Sequence, residues 1–298
     1  QPLLVTNMLQ RVCRVNRRLL SSTGRANVNE PACFGAGVAG GFAGGLVGLG
    51  GGAVMVPIMA QFCNMSQHVA VGTSSAAVAV TGTAGCASFG TSGAVDFIAA
   101  GAVAATAMLG ARFGARLTSS FSSVQLARTF AIFQITVAPL VPIKAAIVNR
   151  TKAGSSIAHD EGDGGVGNAR ADSQDAVRYL TLAFVGLMAG AASGMFGIGG
   201  GVVVTPALCL FTDLPHTTVL GTTLASMIPP SLVSFVTHSN LGNVARKAVL
   251  PLCAGSAIGA FAGGQFAVRV PEELLQISFT IFIAGMGGSK LWALRGRM

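Results

Sequence analysis

The chain has 298 residues, a formal net charge of +9 and a mean hydropathy of +0.66, with only 10% charged residues. Soluble domains carry about 25% charged residues, so a water-facing surface cannot be assembled here, and a disordered chain, a secreted disulfide scaffold and a typical soluble enzyme are excluded. The apolar character comes from Ala, Val, Leu, Ile and 41 Gly rather than from aromatics at 6%, as in small-residue helices packed closely in a bilayer.

Residues 1–29 hold no acidic residue and five arginines, Arg11, Arg14, Arg17, Arg18 and Arg25. Arg11, Arg14 and Arg18 share one helical face opposite Leu9, Val12 and Cys13. That pattern reads either as a mitochondrial transit peptide, with Met8 a natural start, or as a basic cytoplasmic tail. The mitochondrial inner membrane and the plasma membrane both stay open. The basic balance does not suggest nucleic acid, because there is no basic stripe with interleaved aromatics.

Beyond Glu30, eight apolar stretches of about membrane-spanning length follow, at 32–62, 66–91, 94–117, 124–148, 177–211, 216–238, 244–267 and 272–294. The expected fold is an all-α polytopic membrane protein, with the bilayer as its main partner. The first and fifth stretches are too long and glycine-rich for one plain helix, so a broken or re-entrant helix is expected in each. Residues 151–176 carry Gly, Ser and five acidic residues and read as a solvated linker. The organisation is therefore a basic tail at 1–29, a first transmembrane repeat at 30–150, a linker at 151–176 and a second repeat at 177–298.

An internal repeat carries this division. A shift of 149 residues lays GGFAGGLVGLGGGAVMVP (40–57) on AGAASGMFGIGGGVVVTP (189–206), and 41–76 matches its counterpart at 13 of 36 positions, where chance gives roughly 3. With eight crossings, 15 of 19 Lys and Arg fall on the side of the termini, which places both ends in the cytoplasm or matrix. A segment that dips in and returns would change that count and would allow the repeats to be inverted.

The duplicated glycine runs are the first candidate site: Gly50, Gly51 and Gly52, with Gly199, Gly200 and Gly201. Glycine lets the backbone unwind, and a helix restarting after the break offers unpaired N–H groups and the positive end of its dipole. Two such ends form a binding site for a small anionic substrate near the bilayer midplane. Gly48 with Pro57, and Gly197 with Pro206, are the expected hinges. Thr73 and Ser74, and their counterparts Thr222 and Thr223, are expected to donate to substrate oxygens, against the alternative of local hydrogen bonding. The alternative for the glycines is close helix packing alone.

His68, His216 and His238 flank helices, and a coupling proton is the role they offer against a structural one. Arg112 and Arg116 lie one turn apart at the end of the third stretch, anchoring it or steering substrate, with Phe261 and Gln265 at the matching positions. Asp96 and Asp213 read as solvated. Gly35 to Gly40 fits GxGxxG but lacks a preceding strand and an acidic partner. The six cysteines have no metal-ligand spacing, and no catalytic constellation, cofactor site or metal site is indicated.

The pattern from Gly41 to Pro57, followed by Gly72-Thr73-Ser74 and repeated from Gly190 to Pro206 with Gly221-Thr222-Thr223, resembles the TauE/SafE family of sulfite exporters and organosulfonate permeases. The similarity runs over about residues 30–295. It implies a multi-pass carrier of small sulfur-containing anions energised by an ion gradient, proton or other, and not an enzyme. The basic extension and the long linker depart from the usual bacterial pattern. A channel or carrier for another small solute, or a membrane assembly component in which glycines serve contacts only, are the rival readings.

Overall fold

The computed structural model describes residues 29–63, 65–122, 168–212 and 214–271, with scattered positions at 124–132 and beyond 271. The fourth and eighth apolar stretches, the basic tail and most of the linker lie outside these residues. The described chain is all helical: α1 Glu30–Val47, α2 Gly52–Phe62, α3 Gln67–Gly90, α4 Phe97–Leu117 with a 3-10 turn at Thr118–Ser120, α5 Asn168–Phe196, α6 Gly201–Phe211, α7 His216–Asn240 and α8 Arg246–Ala267. Among them α3, α4 extended to Ser120, α7 and α8 are long and apolar enough to cross a bilayer.

Local chemistry sets the starts and stops. The Asn29 side chain accepts from the Ala32 amide, Ser66 from Val69, and Asp96 from both Ile98 and Ala99, each a side-chain cap on orphan N–H groups. The helices α3 and α7 end alike: the Ala94 amide bonds the Phe89 carbonyl, and the Asn243 amide bonds that of His238. Between them stand Gly93 and Gly242, both at positive φ. Every positive-φ glycine among the described residues has its counterpart 149 residues away, so the repeat read from the sequence is there a repeat of backbone conformation.

The first stretch is a hairpin rather than a crossing. Cys33, near the start of α1, and Cys63, after the end of α2, place their sulfurs 3.3 Å apart, so α2 returns to the face from which α1 came. That near face is also where α3 begins. The helix α3 runs to the far face and α4 comes back. Helix α5 runs parallel to α4, since Gly186, Gly190 and Gly194 meet the backbone of Val103, Ala107 and Ala111 in rising order. It is therefore opposed to α1, and the two repeats are inverted. The loops that break α1/α2 and α5/α6 cross each other at the centre.

Small residues hold the halves together. The backbone of α8 at Leu252, Ser256 and Ala260 lies where a Cβ on Gly37, Gly41 or Gly45 of α1 would be, and α1 blocks Gly255, Gly259 and Gly263 in the same way. A glycine every fourth residue on both partners gives the closest helix approach and the dispersion contact that drives packing in lipid. The first helix of each half thus packs on the last described helix of the other.

Inversion corrects the charge count made for eight crossings. Because the first hairpin does not cross, Arg112 and Arg116 at the end of α4 lie on the near face with Arg246 and Lys247 at the start of α8. Arg269, just past α8, is on the far face.

Candidate functional site

The two glycine loops meet back to back. A Cβ on Gly52 would run into the Gly197 carbonyl, one on Gly201 would lie 2.6 Å from the Gly48 carbonyl, and one on Gly50 would be 3.3 Å from that of Ile198. Gly50 and Gly51 have φ of 74°, and Gly199 and Gly200 have φ of 85° and 79°. Side-chain-bearing residues are strained there, which accounts for the duplicated run. All of Gly48, Gly50, Gly51, Gly52, Gly197, Gly199, Gly200 and Gly201 are buried.

The helices α2 and α6 both begin at this crossing. Their N-caps are Gly51 and Gly200, so neither first turn receives a side-chain cap. Their first intrahelical bonds start at Val54 and Val203. The amides before those point back along each axis into the crossing, with the positive ends of both dipoles. Pro57 and Pro206 sit mid-helix in these 11-residue helices. Each lacks the N–H that would bond the carbonyl four residues earlier, at Ala53 or Val202, and so leaves a soft point just inside the tip.

Val78 and Met227, equivalent residues of α3 and α7, close the crossing from above. Both meet the Cβ positions of Gly50 and Gly199. Thr81 Oγ1, one turn past Val78 on α3, and Ser231 Oγ, one turn past Met227 on α7, are buried without a hydrogen-bond partner. Ser231 Oγ lies 3.7 Å from the Cβ position of Gly199. Sequence reading passed over these four residues. Val78 and Met227 are apolar residues in apolar helices, and their only signal is that they are exchanged by the 149-residue shift.

The expected hydroxyls divide. Ser74 Oγ donates within 2.9 Å of the Gly197 carbonyl, and also has the Val71 carbonyl at 2.9 Å. Thr205 Oγ1 sits 3.4 Å from both the Gly48 carbonyl and Thr223 Oγ1. Ser74 and Thr223 therefore stand at the glycine loops. Thr73 and Thr222 do not: Thr73 Oγ1 accepts from the Ala245 amide at 3.0 Å and Thr222 Oγ1 from the Asp96 amide at 2.9 Å, holding the turns before α8 and α4.

His68, His216 and His238 each reach a different element. His238 Nε2 lies 2.8 Å from the Gly194 carbonyl, His68 Nε2 3.1 Å from that of Phe121, and His216 Nδ1 3.5 Å from Cys209 Sγ. Among the described residues no group of three or more His, Cys, Asp or Glu is placed to hold a metal.

Two inverted re-entrant hairpins with uncapped helix starts meeting inside the bilayer define a membrane transporter of the inverted-repeat class. The chain belongs to the sulfite exporter TauE/SafE family, whose model matches residues 3–139 and 182–297. It is 28% identical over 258 residues to the probable membrane transporter protein YunE of Bacillus subtilis (strain 168), covering 84% of this chain and 93% of that one. It is 25% identical to YdhB of the same organism, with 81% and 93% covered. A probable membrane transporter protein of Xylella fastidiosa (strain Temecula1 / ATCC 700964) is 24% identical, with 85% and 91% covered. No solved structure matches the chain. The protein is thus an integral membrane transporter and not an enzyme.

Proposed function

We propose that this transporter moves small sulfur-containing oxyanions, sulfite or an organosulfonate, by alternating access, driven by an ion gradient. The observation that carries the reading is the pair of uncapped helix starts at Gly52 and Gly201, converging from opposite directions on one buried point. Amide donors and dipole ends arriving from two sides suit a ligand with three or more acceptor oxygens, and they stabilise its charge without a counter-cation. The partnerless hydroxyl of Ser231, beside Gly199, adds a polar group at the crossing. With Val78 and Met227 packed on the glycines the site is closed, and movement of one hairpin against the other half opens it to one face. The basic first 29 residues suit the mitochondrial inner membrane or the plasma membrane, and subcellular fractionation of a C-terminally tagged chain separates these.

The test is uptake of labelled sulfite into proteoliposomes, with sulfate, thiosulfate, taurine and sulfoacetate as competitors, with and without an imposed pH gradient. Saturable uptake that the oxyanions compete supports the assignment, and dependence on the gradient identifies the proton as the coupling ion. Saturable flux of an unrelated solute, or flux of sulfite that never saturates, overturns the cargo or the carrier mechanism respectively.

A further inference from the structure

On the near face, the C-terminal halves of α4 and α7 enclose a cleft of about 540 Å³, lined by Arg112 and Arg116 and by Leu232, Val236, Thr237 and Asn240. The two arginines stand one helical turn apart, so both guanidiniums reach the same volume. Both are exposed, and neither has an ion-pair partner among the described residues. The Thr237 hydroxyl is engaged with the Val233 carbonyl at 2.8 Å, which leaves the guanidiniums and the Asn240 amide as the donors of the cleft.

The surroundings are apolar and face outward. Leu232 and Val236 are 50% and 55% exposed, and Leu109 and Phe113, next to the arginines on α4, are 71% and 65% exposed. Such a surface in a membrane-spanning helix faces hydrocarbon, with the cations at the level where chains give way to headgroups. Among the described residues the inverted half has no cation pair at the matching positions. Phe261 and Gln265 occupy the matching positions, and the Gln265 amide reaches the Ser88 carbonyl and Thr91 Oγ1 at 3.5 Å. Among the described residues the cationic cleft therefore lies on one face, the face that also carries Arg246 and Lys247, which the positive-inside rule places against the anionic leaflet.

We infer that this cleft binds an anionic phospholipid, with its phosphate on Arg112 and Arg116 and an acyl chain along Leu232 and Val236. Two cations without an ion-pair partner among the described residues, a donor amide and an apolar wall at headgroup depth match a ligand that is anionic at one end and hydrocarbon at the other. A free inorganic anion would use only half of that surface.

The test uses the purified full chain in neutral detergent, titrated with phosphatidylglycerol or with phosphatidylcholine of the same acyl chains, and read by native mass spectrometry and thermal unfolding. Bound phosphatidylglycerol with at least tenfold preference over phosphatidylcholine is expected. The double variant R112Q/R116Q should weaken that binding about thirty-fold, as removal of two cations near a charged surface implies. R112K/R116K should keep most of it, and R246Q/K247Q, on the same face but outside the cleft, should keep all of it. Equal binding of the two lipids, or an unchanged preference in a well-folded R112Q/R116Q, overturns the proposal. Displacement of the lipid by millimolar phosphate or sulfite assigns the cleft to a free oxyanion and overturns it as well. Transport is not read, so the result stands apart from the identity of the cargo.

Discussion

The two hairpin tips are exchanged by the repeat, yet they are held by opposite kinds of force. The second tip is fastened by directional bonds. His238 reaches the Gly194 carbonyl, Thr118 the Met195 carbonyl at 3.3 Å, and Ser74 that of Gly197. At the matching positions the first tip meets Phe89, Ala267 and Thr223. Phe89 and Ala267 belong to an apolar cluster with Leu220 and Leu224, against which Leu46 packs. Among the described residues the polar attachment of the loop is Thr205, at 3.4 Å from the Gly48 carbonyl. Hydrogen bonds fix position and angle, whereas apolar contact is non-directional and tolerates sliding. The difference teaches that sequence symmetry need not be symmetry of contact: the first tip is held mainly by apolar packing and the second by directional bonds.

The largest effect should come from the loops themselves. Leu at Gly51 must adopt the left-handed region, at about 1–2 kcal/mol, and its Cβ would meet the Gly40 carbonyl. Leu at Gly200 meets Ala189 backbone in the same way. Both variants should reach the membrane fraction and show no uptake. Unchanged uptake would remove the glycine crossing from the mechanism. Gly50→Ala should be milder, because the atom it displaces is the mobile end of Met227.

Next in size are changes that erase the contrast between the tips. His238→Phe gives the second tip the first tip's residue and strands the Gly194 carbonyl, so thermal unfolding should show a loss of about 1–3 kcal/mol. Hydrogen exchange should rise around residues 194–200. Ser74→Ala should cost about 1 kcal/mol, and Thr205→Ala, with its longer bond, clearly less. Equal losses from the latter two would mean that the tips are held alike after all. Ser231→Ala should raise KM for the transported anion with little change in stability, because its hydroxyl has no protein partner to lose. The smallest effect on transport is expected from oxidation of Cys33 to Cys63, which joins the two arms of one hairpin and lets it move as a unit. The intramolecular cross-link itself, absent in Cys33→Ser, is the prediction, and failure to form it would refute the re-entrant path.

Much of this was legible in the sequence because backbone conformation dictated residue type. Positive φ at Gly50, Gly51, Gly199 and Gly200 admits little but glycine, and two copies of a run that followed by Pro at one offset cannot hide. The return path was not legible. A helix that breaks and continues needs the same glycines as one that turns back, and the return shows only in space, where Cys63 comes back beside Cys33. Thr73 and Ser74 look equivalent as donors on paper, but consecutive helical positions point about 100° apart, so one holds a turn before α8 and the other the Gly197 loop. His238 carries no mark in its neighbours that it would fasten a distant carbonyl.

The exchange of helices between halves also constrains how the chain is made. Among the described helices α1 meets its matching glycine face on α8, which is synthesised some 200 residues later. At ~5–20 residues per second that is roughly 10–40 s of waiting. Through that interval the first hairpin, with its unwound loop, sits in the translocation machinery or the lipid without its main support. Truncation anywhere before Arg246 leaves it permanently so, and the quality-control proteases of the membrane should treat such fragments as unfinished however complete their first half is.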